Sequence, residues 1–328
     1  MSVLSVWRGL GESAFLADVG QRDREPARIV AVIIAGGCVG LVASVACWIL
    51  ILVPYTVYVG YGREGMLGLG KAALRFEDNH FQDVGITLVR LLASTATDGA
   101  LPLAFVSLAA VMTSRPFQHY VTAAPRVRWR LLVLGLGLSF AVIAPLLIAA
   151  EVGAPSAGPP PVTILSPDLA RRAVFVIGAL LLVPSAAAEE LMFRGWLMHQ
   201  IAAFTKSPGV LIFGTAIAFS AAHLDFAPDA FLARAVMGAG FAYMALRLGG
   251  LELAVGAHAA NNILFILFVA PFGVHERAAP GPWLGNFGLV AGYVLITEAV
   301  VRIGPLRRWA GVASGEVSPG KVAAPLIA

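Results

Sequence analysis

Charged side chains are scarce in this sequence. Asp, Glu, Lys and Arg make up 13% of its 328 residues, whereas hydrophobic residues make up 59%. Soluble domains carry about 25% charged residues, so this composition excludes an ordinary water-soluble domain and predicts a protein of the lipid bilayer. The net charge of +4 is small, and the basic residues lie between apolar runs. That arrangement fits loops facing anionic lipid and argues against a nucleic-acid-binding surface.

Cysteine is also scarce. The two cysteines, Cys38 and Cys47, lie in one apolar run. Nine residues of helix separate them by about 13.5 Å, which is too far for a disulfide bond. Both are therefore predicted to be small packing residues. No removable signal peptide is expected, because no basic stretch leads directly into a short apolar core at the start of the sequence.

Long apolar runs, by contrast, recur along nearly the whole chain. A helix needs about 20 apolar residues to cross a bilayer. The runs predict an all-α fold, a polytopic transmembrane helical bundle with about eight spans. The spans are residues 29–58, 95–113, 130–150, 171–204, 210–223, 230–246, 251–270 and 287–302. The second is the weakest, because Asp98 interrupts it, and the fifth is short.

The basic residues predict how these spans are oriented. Residues 115–130 form a short loop with four arginines, and the positive-inside rule places it in the cytoplasm. The next loop, residues 151–168, is rich in proline and has no Lys or Arg, so it is expected outside. Alternation then puts both termini in the cytoplasm. We expect a multi-pass protein of a bacterial inner membrane.

Three ionisable residues lie inside one apolar run, residues 185–196 (SAAAEELMFRGW). An ionised residue at mid-bilayer costs about 2.5–3.5 kcal/mol, so the helix cannot present these groups to lipid. Glu190 and Arg194 are four residues apart and can pair on one helix face. Glu189 points about 100° away from that face and has no local partner. It either satisfies a neighbouring helix or serves a function.

Two later runs carry further polar residues. The stretch FSAAHL places Phe219 and His223 one turn apart, and HAANN places His258 four residues before Asn262, with Asn261 close to the same face. Together with the unpaired glutamate, these groups can serve one another. A carboxylate can act as base, the imidazoles as its orienting groups or as metal ligands, and an asparagine amide as an oxyanion donor.

In this order the three motifs resemble those of the type II CAAX prenyl endopeptidases. The wider group is the CPBP family of intramembrane proteases (Abi domain), which includes bacteriocin-processing and immunity proteins. The resemblance covers about residues 171–262. It implies a membrane-embedded endopeptidase whose site lies in a cavity that opens toward the cytoplasm. Together with the apolar runs, it divides the chain into four regions. Residues 1–28 form a cytoplasmic N-terminal segment, and residues 29–170 form the N-terminal spans with an interfacial segment near 60–95. Residues 171–270 form the catalytic core, and residues 271–328 form the last span and a cytoplasmic tail.

The resemblance also implies a role for each motif residue. Glu189 would activate the hydrolytic water, and His223 would assist at the water or at the scissile carbonyl. His258 and Asn262 would hold the developing oxyanion, and the resemblance selects Asn262 over Asn261, a choice that spacing leaves open. The residues expected to support the site are Glu190, Arg194 and Phe219.

The cofactor is left open by these motifs. Two histidines and a glutamate can bind zinc, and the resemblance allows glutamate-dependent as well as metal-dependent proteases. The HExxH pattern that would favour zinc is missing. We therefore favour a water activated by Glu189 and predict no definite cofactor. If a divalent metal is bound, its expected ligands are Glu189, His223 and His258. The expected partners are membrane lipid and a peptide or membrane-protein substrate.

Two other functions stay open at this point. A catalytically silent scaffold or immunity protein would keep the same motifs. A proton-coupled transporter would also carry glutamates and histidines in its spans, but at several depths rather than in three compact motifs. Among the remaining polar residues, Asp98 is expected to line a cavity or mark a short helix, His199 to lie at the interface, and Asp225 to form a turn beside His223. The histidines expected in solvated loops are His80, His119 and His275.

Overall fold

The described part of the chain folds into helices. The computed structural model describes residues 2–57, 84–153, 168–268 and 283–313. Within these ranges no β-strand forms, and the predicted all-α fold is confirmed. The helices are α1 (Val3–Leu10), α2 (Pro26–Thr56), α3 (Val84–Thr113), α4 (Trp129–Gly153), α5 (Leu169–Ala202), α6 (Pro208–Ala222), α7 (Pro228–Leu248), α8 (Glu252–Phe268), α9 (Trp283–Arg302) and α10 (Gly304–Trp309).

Helices α2 to α9 coincide one by one with the eight predicted spans. Among the described residues, α2, α3, α5 and α7 are long and apolar enough to cross a bilayer, and α4, α6 and α8 contain shorter apolar helices. Large apolar side chains remain exposed along α2, as lipid-facing residues do, among them Val42 (69%) and Leu50 (72%). The chain is therefore an integral membrane protein. Cys38 and Cys47 are free thiols, as predicted, but Cys38 is exposed and Cys47 is half-buried. The predicted packing position of Cys38 is therefore wrong, because it lies on the exposed apolar face of α2.

The second span is longer than the sequence suggested. Helix α3 begins at Val84 and runs through the STATDG stretch that was expected to interrupt it. The hydroxyl of Thr95 donates to the carbonyl of Leu181 on α5 at 3.1 Å, so this polar stretch is used in helix packing. Residues 84–95 are thus helical and continuous with the second span. The rest of that segment, most of the proline-rich loop, the end of the tail, His80 and His275 lie outside the described residues.

Glycines let the first two spans approach each other closely. Gly36 and Gly40 lie on α2 at the spacing typical of helix contacts. A Cβ atom at Gly36 would lie 2.8 Å from Phe105, and one at Gly40 would lie 2.9 Å from Leu101, both on α3. Any larger residue at these positions would push the two helices apart.

Helices α4 and α8 are in still closer contact. A Cβ atom at Gly135 of α4 would lie 2.4 Å from the carbonyl oxygen of Leu253 on α8. A Cβ at Gly256 of α8 would lie 2.1 Å from the carbonyl oxygen of Leu132 on α4. Backbone thus lies against backbone, which leaves α8 little freedom to move. This contact fixes the position of His258, two residues beyond Gly256.

The N-terminal segment folds back onto the ends of the spans. Ser13 donates a hydrogen bond to the carbonyl of Leu246 at the end of α7 at 2.6 Å. Arg115, which follows α3, pairs with Asp18 at 2.7 Å and with Asp23 at 2.9 Å. These contacts make the segment a packed part of the protein at the end predicted to face the cytoplasm.

His199 lies beneath this segment. Its ring packs edge-on against Phe15 at 4.7 Å and next to Tyr120 at 5.3 Å, and the residue is 1% exposed. The folded N-terminal segment therefore covers His199, and its predicted position near the interface stays a prediction. The sequence did not predict that the N-terminal segment packs over His199, since the segment carries no long apolar run.

We expect Gly256→Ala to destabilise the protein by about 1–3 kcal/mol, because the added methyl group must displace the backbone of α4. Gly37→Ala is the matched control: a Cβ there meets no atom within 4 Å, and alanine favours the helix. Thermal unfolding of the two variants in detergent measures the difference. Equal unfolding temperatures would contradict the close packing of α4 and α8.

Candidate active site

Helix α5 changes its geometry where its charged residues lie. It is α-helical over Leu182–Glu190, π-helical over Leu191–Leu197 and α-helical again from Met198. The π-helical turn accommodates an extra residue, is rare, and occurs frequently at functional sites. Glu189 and Glu190 end the α-helical part, and Arg194 lies in the π-helical part.

Glu190 and Arg194 form an ion pair with no exposure to solvent. Nη1 of Arg194 donates to Oε1 of Glu190 at 2.9 Å, and both side chains are 0% exposed. The i,i+4 pairing predicted from the sequence is present. Burying two charges is costly unless their remaining polar atoms also find partners. The free-energy cost of this pair therefore depends on the groups around it.

Helices α6 and α7 supply further contacts to Arg194. Its Nη2 donates to the carbonyl of Gly238 on α7 at 2.7 Å. The guanidinium also lies over the ring of Phe219 on α6, 4.7 Å from its centroid, and 5.6 Å from the ring centroid of Phe241 on α7. Aromatic faces attract a desolvated cation, so three helices converge on one arginine.

Sequence reasoning missed Gly238. A Cβ atom at this position would lie 2.8 Å from Nη2 of Arg194 and 3.2 Å from the Cα of Ala216 on α6. Only glycine leaves room here for the guanidinium and for close contact with α6. The glycines of the stretch MGAGF were the available signal, because small residues within an apolar helix mark close helix contacts.

His258 on α8 links the two glutamates. Its Nδ1 lies 2.9 Å from Oε1 of Glu190, and its Nε2 lies 3.7 Å from Oε2 of Glu189. Phe241 stacks on the imidazole with the centroids 4.8 Å apart. Glu189 is 25% exposed and Glu190 is 0% exposed, so only the first glutamate is accessible to water. The contact between Glu190 and His258 was not predicted.

Phe219 lies between the two histidines. Its ring centroid is 4.9 Å from that of His223 and 5.6 Å from that of His258. Nδ1 of His223 also bonds to the carbonyl of Phe219 at 2.9 Å. Because a carbonyl only accepts, Nδ1 carries the proton, and in a neutral ring Nε2 is then an acceptor. His223 ends α6, and Leu224 after it has a φ of 55°.

The two asparagines lie together one turn beyond His258. Nδ2 of Asn261 donates to Oδ1 of Asn262 at 3.4 Å, and both residues are half-buried. The Asn262 oxygen is thereby engaged, and its amide N–H groups remain to act as donors. The choice of Asn262 over Asn261 as the oxyanion donor stays a prediction.

The arrangement of the side chains does not support the alternative prediction of a metal site. Within the described residues, no three His, Cys, Asp or Glu side chains are grouped so that they can hold a metal ion. The expected ligands Glu189, His223 and His258 are thus not gathered around one point, and we derive no step through a metal.

Asp225 pairs with Arg234 at 2.5 Å. Asp98 lies within electrostatic range of Glu189.

Part of the chain is similar to a family of known proteins. Residues 171–264 match the family model of the type II CAAX prenyl endopeptidases, Rce1-like. The predicted family resemblance is confirmed. The matched region, residues 171–264, contains all the motif residues on α5, α6 and α8. Members of this family are usually proteases, which supports a hydrolase.

One curated relative is an uncharacterized protein, YyaK of Bacillus subtilis (strain 168). It is 28% identical over 162 residues, which cover 47% of this chain and 53% of the relative. The match thus spans about half the length of that relative. No solved structure matches the chain.

Replacing Arg194 tests the buried pair. Arg194→Ala leaves the Glu190 carboxylate without its cation in a low-dielectric interior, which costs about 3–5 kcal/mol. We expect a marked loss of accumulated protein in membranes, measured by immunoblotting, and a lower unfolding temperature. Arg302→Ala is the control, because that side chain is 66% exposed and its pair with Glu298 is at the surface.

The double variant Arg194→Ala/Glu190→Gln removes both charges and should accumulate better than Arg194→Ala alone. Arg194→Ala accumulating as well as Arg302→Ala would show that the buried pair does not stabilise the fold.

Proposed function

We propose that this protein is an intramembrane endopeptidase that hydrolyses a peptide bond near the membrane by means of a water activated by Glu189. The observation that carries the proposal is the bridge formed by His258, which contacts the buried Glu190 and the accessible Glu189 through opposite ring nitrogens. A buried glutamate whose Oε1 is paired with Arg194 orients the imidazole, and the second glutamate is left available for chemistry. The substrate class is a CAAX-type or other membrane-associated peptide or protein.

The first step is the activation of water between Glu189 and His258. Nδ1–H of His258 donates to Glu190, so a neutral ring presents the lone pair of Nε2 toward Glu189. Nε2 and Oε2 of Glu189 are both acceptors and lie 3.7 Å apart, which suits a water that donates one O–H to each. Glu189 takes a proton from this water as the oxygen attacks the scissile carbonyl carbon.

The second step is the stabilisation of the oxyanion. When the new C–O bond forms, the carbonyl electrons move onto its oxygen, which needs hydrogen-bond donors placed in advance. Asn262 provides N–H groups without any change in its protonation. His258 can join it only when its ring is doubly protonated. We therefore assign Asn262 as the principal donor.

The third step is the release of the amine. The proton held by Glu189 passes to the amide nitrogen, the C–N bond breaks, and the products are a carboxylic acid and an amine. A carboxylate within reach of the water can take and return a proton in this way. We assign His223, whose ring centroid lies 4.9 Å from that of Phe219, to assist at the water or at the scissile carbonyl.

We also propose that both termini lie in the cytoplasm of a bacterial cell.

Comparison of protein termini tests the enzyme directly. Membranes of cells that express wild-type protein or Glu189→Gln at matched levels are compared for new N- and C-termini. We expect specific cleavages to vanish in the variant, which keeps the size of Glu189 but lacks the base, while the protein remains inserted. Identical termini with both proteins stably inserted would favour the scaffold, and loss of the variant protein would make Glu189 structural.

The two asparagines test the oxyanion step. Asn262→Ala should reduce the rate of cleavage by about 10²–10³, the usual effect of removing one oxyanion donor. Asn261→Ala is the matched control on the same helix and should cost much less, because Asn261 only orients its neighbour. Cleavage rates at the site mapped by the terminus comparison are measured for both. Equal losses in the two variants would remove Asn262 from the assigned role.

A further inference from the structure

The turn that follows α6 holds a strained residue directly after His223. Of the described non-glycine residues, only Ser114 and Leu224 have a positive φ, and that of Leu224 is 55°. This left-handed region is unfavourable for a bulky side chain, and residues held in it cluster at functional sites. The side chain of Leu224 is 80% exposed, so its own packing does not impose the conformation. Neighbouring residues must therefore hold it.

Arg234 on α7 binds the next residue of the turn, Asp225, at two points. Its Nη2 donates to Oδ2 of Asp225 at 2.5 Å, and its Nη1 donates to the carbonyl oxygen of the same residue at 3.2 Å. The other carboxylate oxygen, Oδ1, accepts from the backbone N–H of Ala227 at 3.1 Å. All three oxygens of Asp225 are therefore engaged, and its backbone as well as its side chain is fixed relative to α7.

The chain is also fixed to α7 just before His223. Oγ of Ser220 on α6 donates to the carbonyl of Phe231 on α7 at 2.7 Å. The ring of Phe231 in turn stacks on that of Phe226 in the turn, with the centroids 6.1 Å apart. Leu224 thus lies between two stretches of chain that are both held by α7. This double constraint accounts for its unfavourable φ.

His223 is the residue that this turn holds in place, because it ends α6 directly before Leu224. The ends of helices fray. Nδ1 of His223 bonds to the carbonyl of Phe219 one turn earlier at 2.9 Å, and this bond lasts only while the last turn of α6 stays closed. A fixed turn after His223 therefore preserves both the tautomer and the direction of its imidazole.

We propose that Arg234 is a positioning residue of the site, which acts on His223 through Asp225. Its two-point contact holds Leu224 in the left-handed conformation and thereby fixes the end of α6. The contact needs the planar guanidinium, which presents two N–H donors side by side to the carboxylate and the carbonyl. The three sequence motifs include neither Arg234 nor Asp225. The effect on cleavage rests on the proposed function, whereas the effect on the turn does not.

Kinetics test the positioning role. Arg234→Ala should lower kcat about 10- to 100-fold with KM nearly unchanged, because misplacing a catalytic group by about 1 Å can cost about 10² in rate. Arg234→Lys keeps the charge but lacks the planar fork, so it should recover only part of the rate, and it replaces Arg234→Ala if that variant does not accumulate. Equal kcat for wild type and either variant would overturn the role.

Arg302→Ala is the matched control for these variants. It also removes an arginine that pairs with a carboxylate, but this side chain is 66% exposed and its partner is Glu298 on α9. We expect Arg302→Ala to cleave at the wild-type rate. A loss of kcat as large as that of Arg234→Ala would show that the effect is not specific to the turn and would overturn the proposal.

Substitutions of Leu224 separate positioning from general attachment of α6 to α7. Glycine adopts a positive φ without strain, whereas alanine still disfavours it. In the Arg234→Ala background, Leu224→Gly should therefore restore much of the lost kcat. Leu224→Ala removes the same apolar side chain and should restore none. Equal kcat in the two double variants would overturn the proposal.

High-resolution structures of the full chain test the turn without any assay of activity. In Arg234→Ala we expect the φ of Leu224 to become negative and the bond between Nδ1 of His223 and the carbonyl of Phe219 to lengthen or break. An unchanged turn in this variant would overturn the proposal. Should the wild-type protein cleave nothing, the proposed function fails, and these structures still decide whether Arg234 holds the turn.

Discussion

The site depends on one fully buried ion pair, Glu190 with Arg194. A charge pair within a bilayer protein is tolerable only when its remaining polar atoms are satisfied, and here the partners come from different helices. The carbonyl of Gly238 belongs to α7, the ring of Phe219 to α6 and the imidazole of His258 to α8. The requirements of one pair thereby hold four helices in register.

Two adjacent residues of one type acquire different chemistry from this arrangement. Glu190 faces the packed interior and is committed to Arg194 and His258. Glu189, one residue earlier, is 25% exposed, and its Oε2 lies 3.7 Å from the far nitrogen of the same imidazole. Environment assigns the roles, since the side chains are identical. The π-helical segment that begins at Leu191 follows Glu190 directly and contains Arg194.

Local spacing explains how much of this could be predicted from the sequence. The eight apolar runs, the i,i+4 pairing of Glu190 with Arg194 and the glycine contacts of α2 follow from helix geometry, and the three motifs pointed to the family. Other features depend on which helices meet. No spacing rule links His258 to Glu190, 68 residues earlier. Asp98 was expected to interrupt a helix, but the helix continues through it, and the hydroxyl of Thr95 bonds to the carbonyl of Leu181 on α5.

The short length of α6 has a consequence for the surrounding lipid. Its 15 residues extend about 22 Å, whereas the hydrocarbon core is about 30 Å thick. Local thinning of the bilayer is one way in which a mismatch of this size is accommodated, beside snorkelling of flanking residues and association with other helices. The turn that follows exposes Leu224 (80%) and Phe226 (65%), which keep acyl chains in contact with this end of the helix. A membrane thinned beside His223 shortens the distance that water or an extended peptide must travel through hydrocarbon.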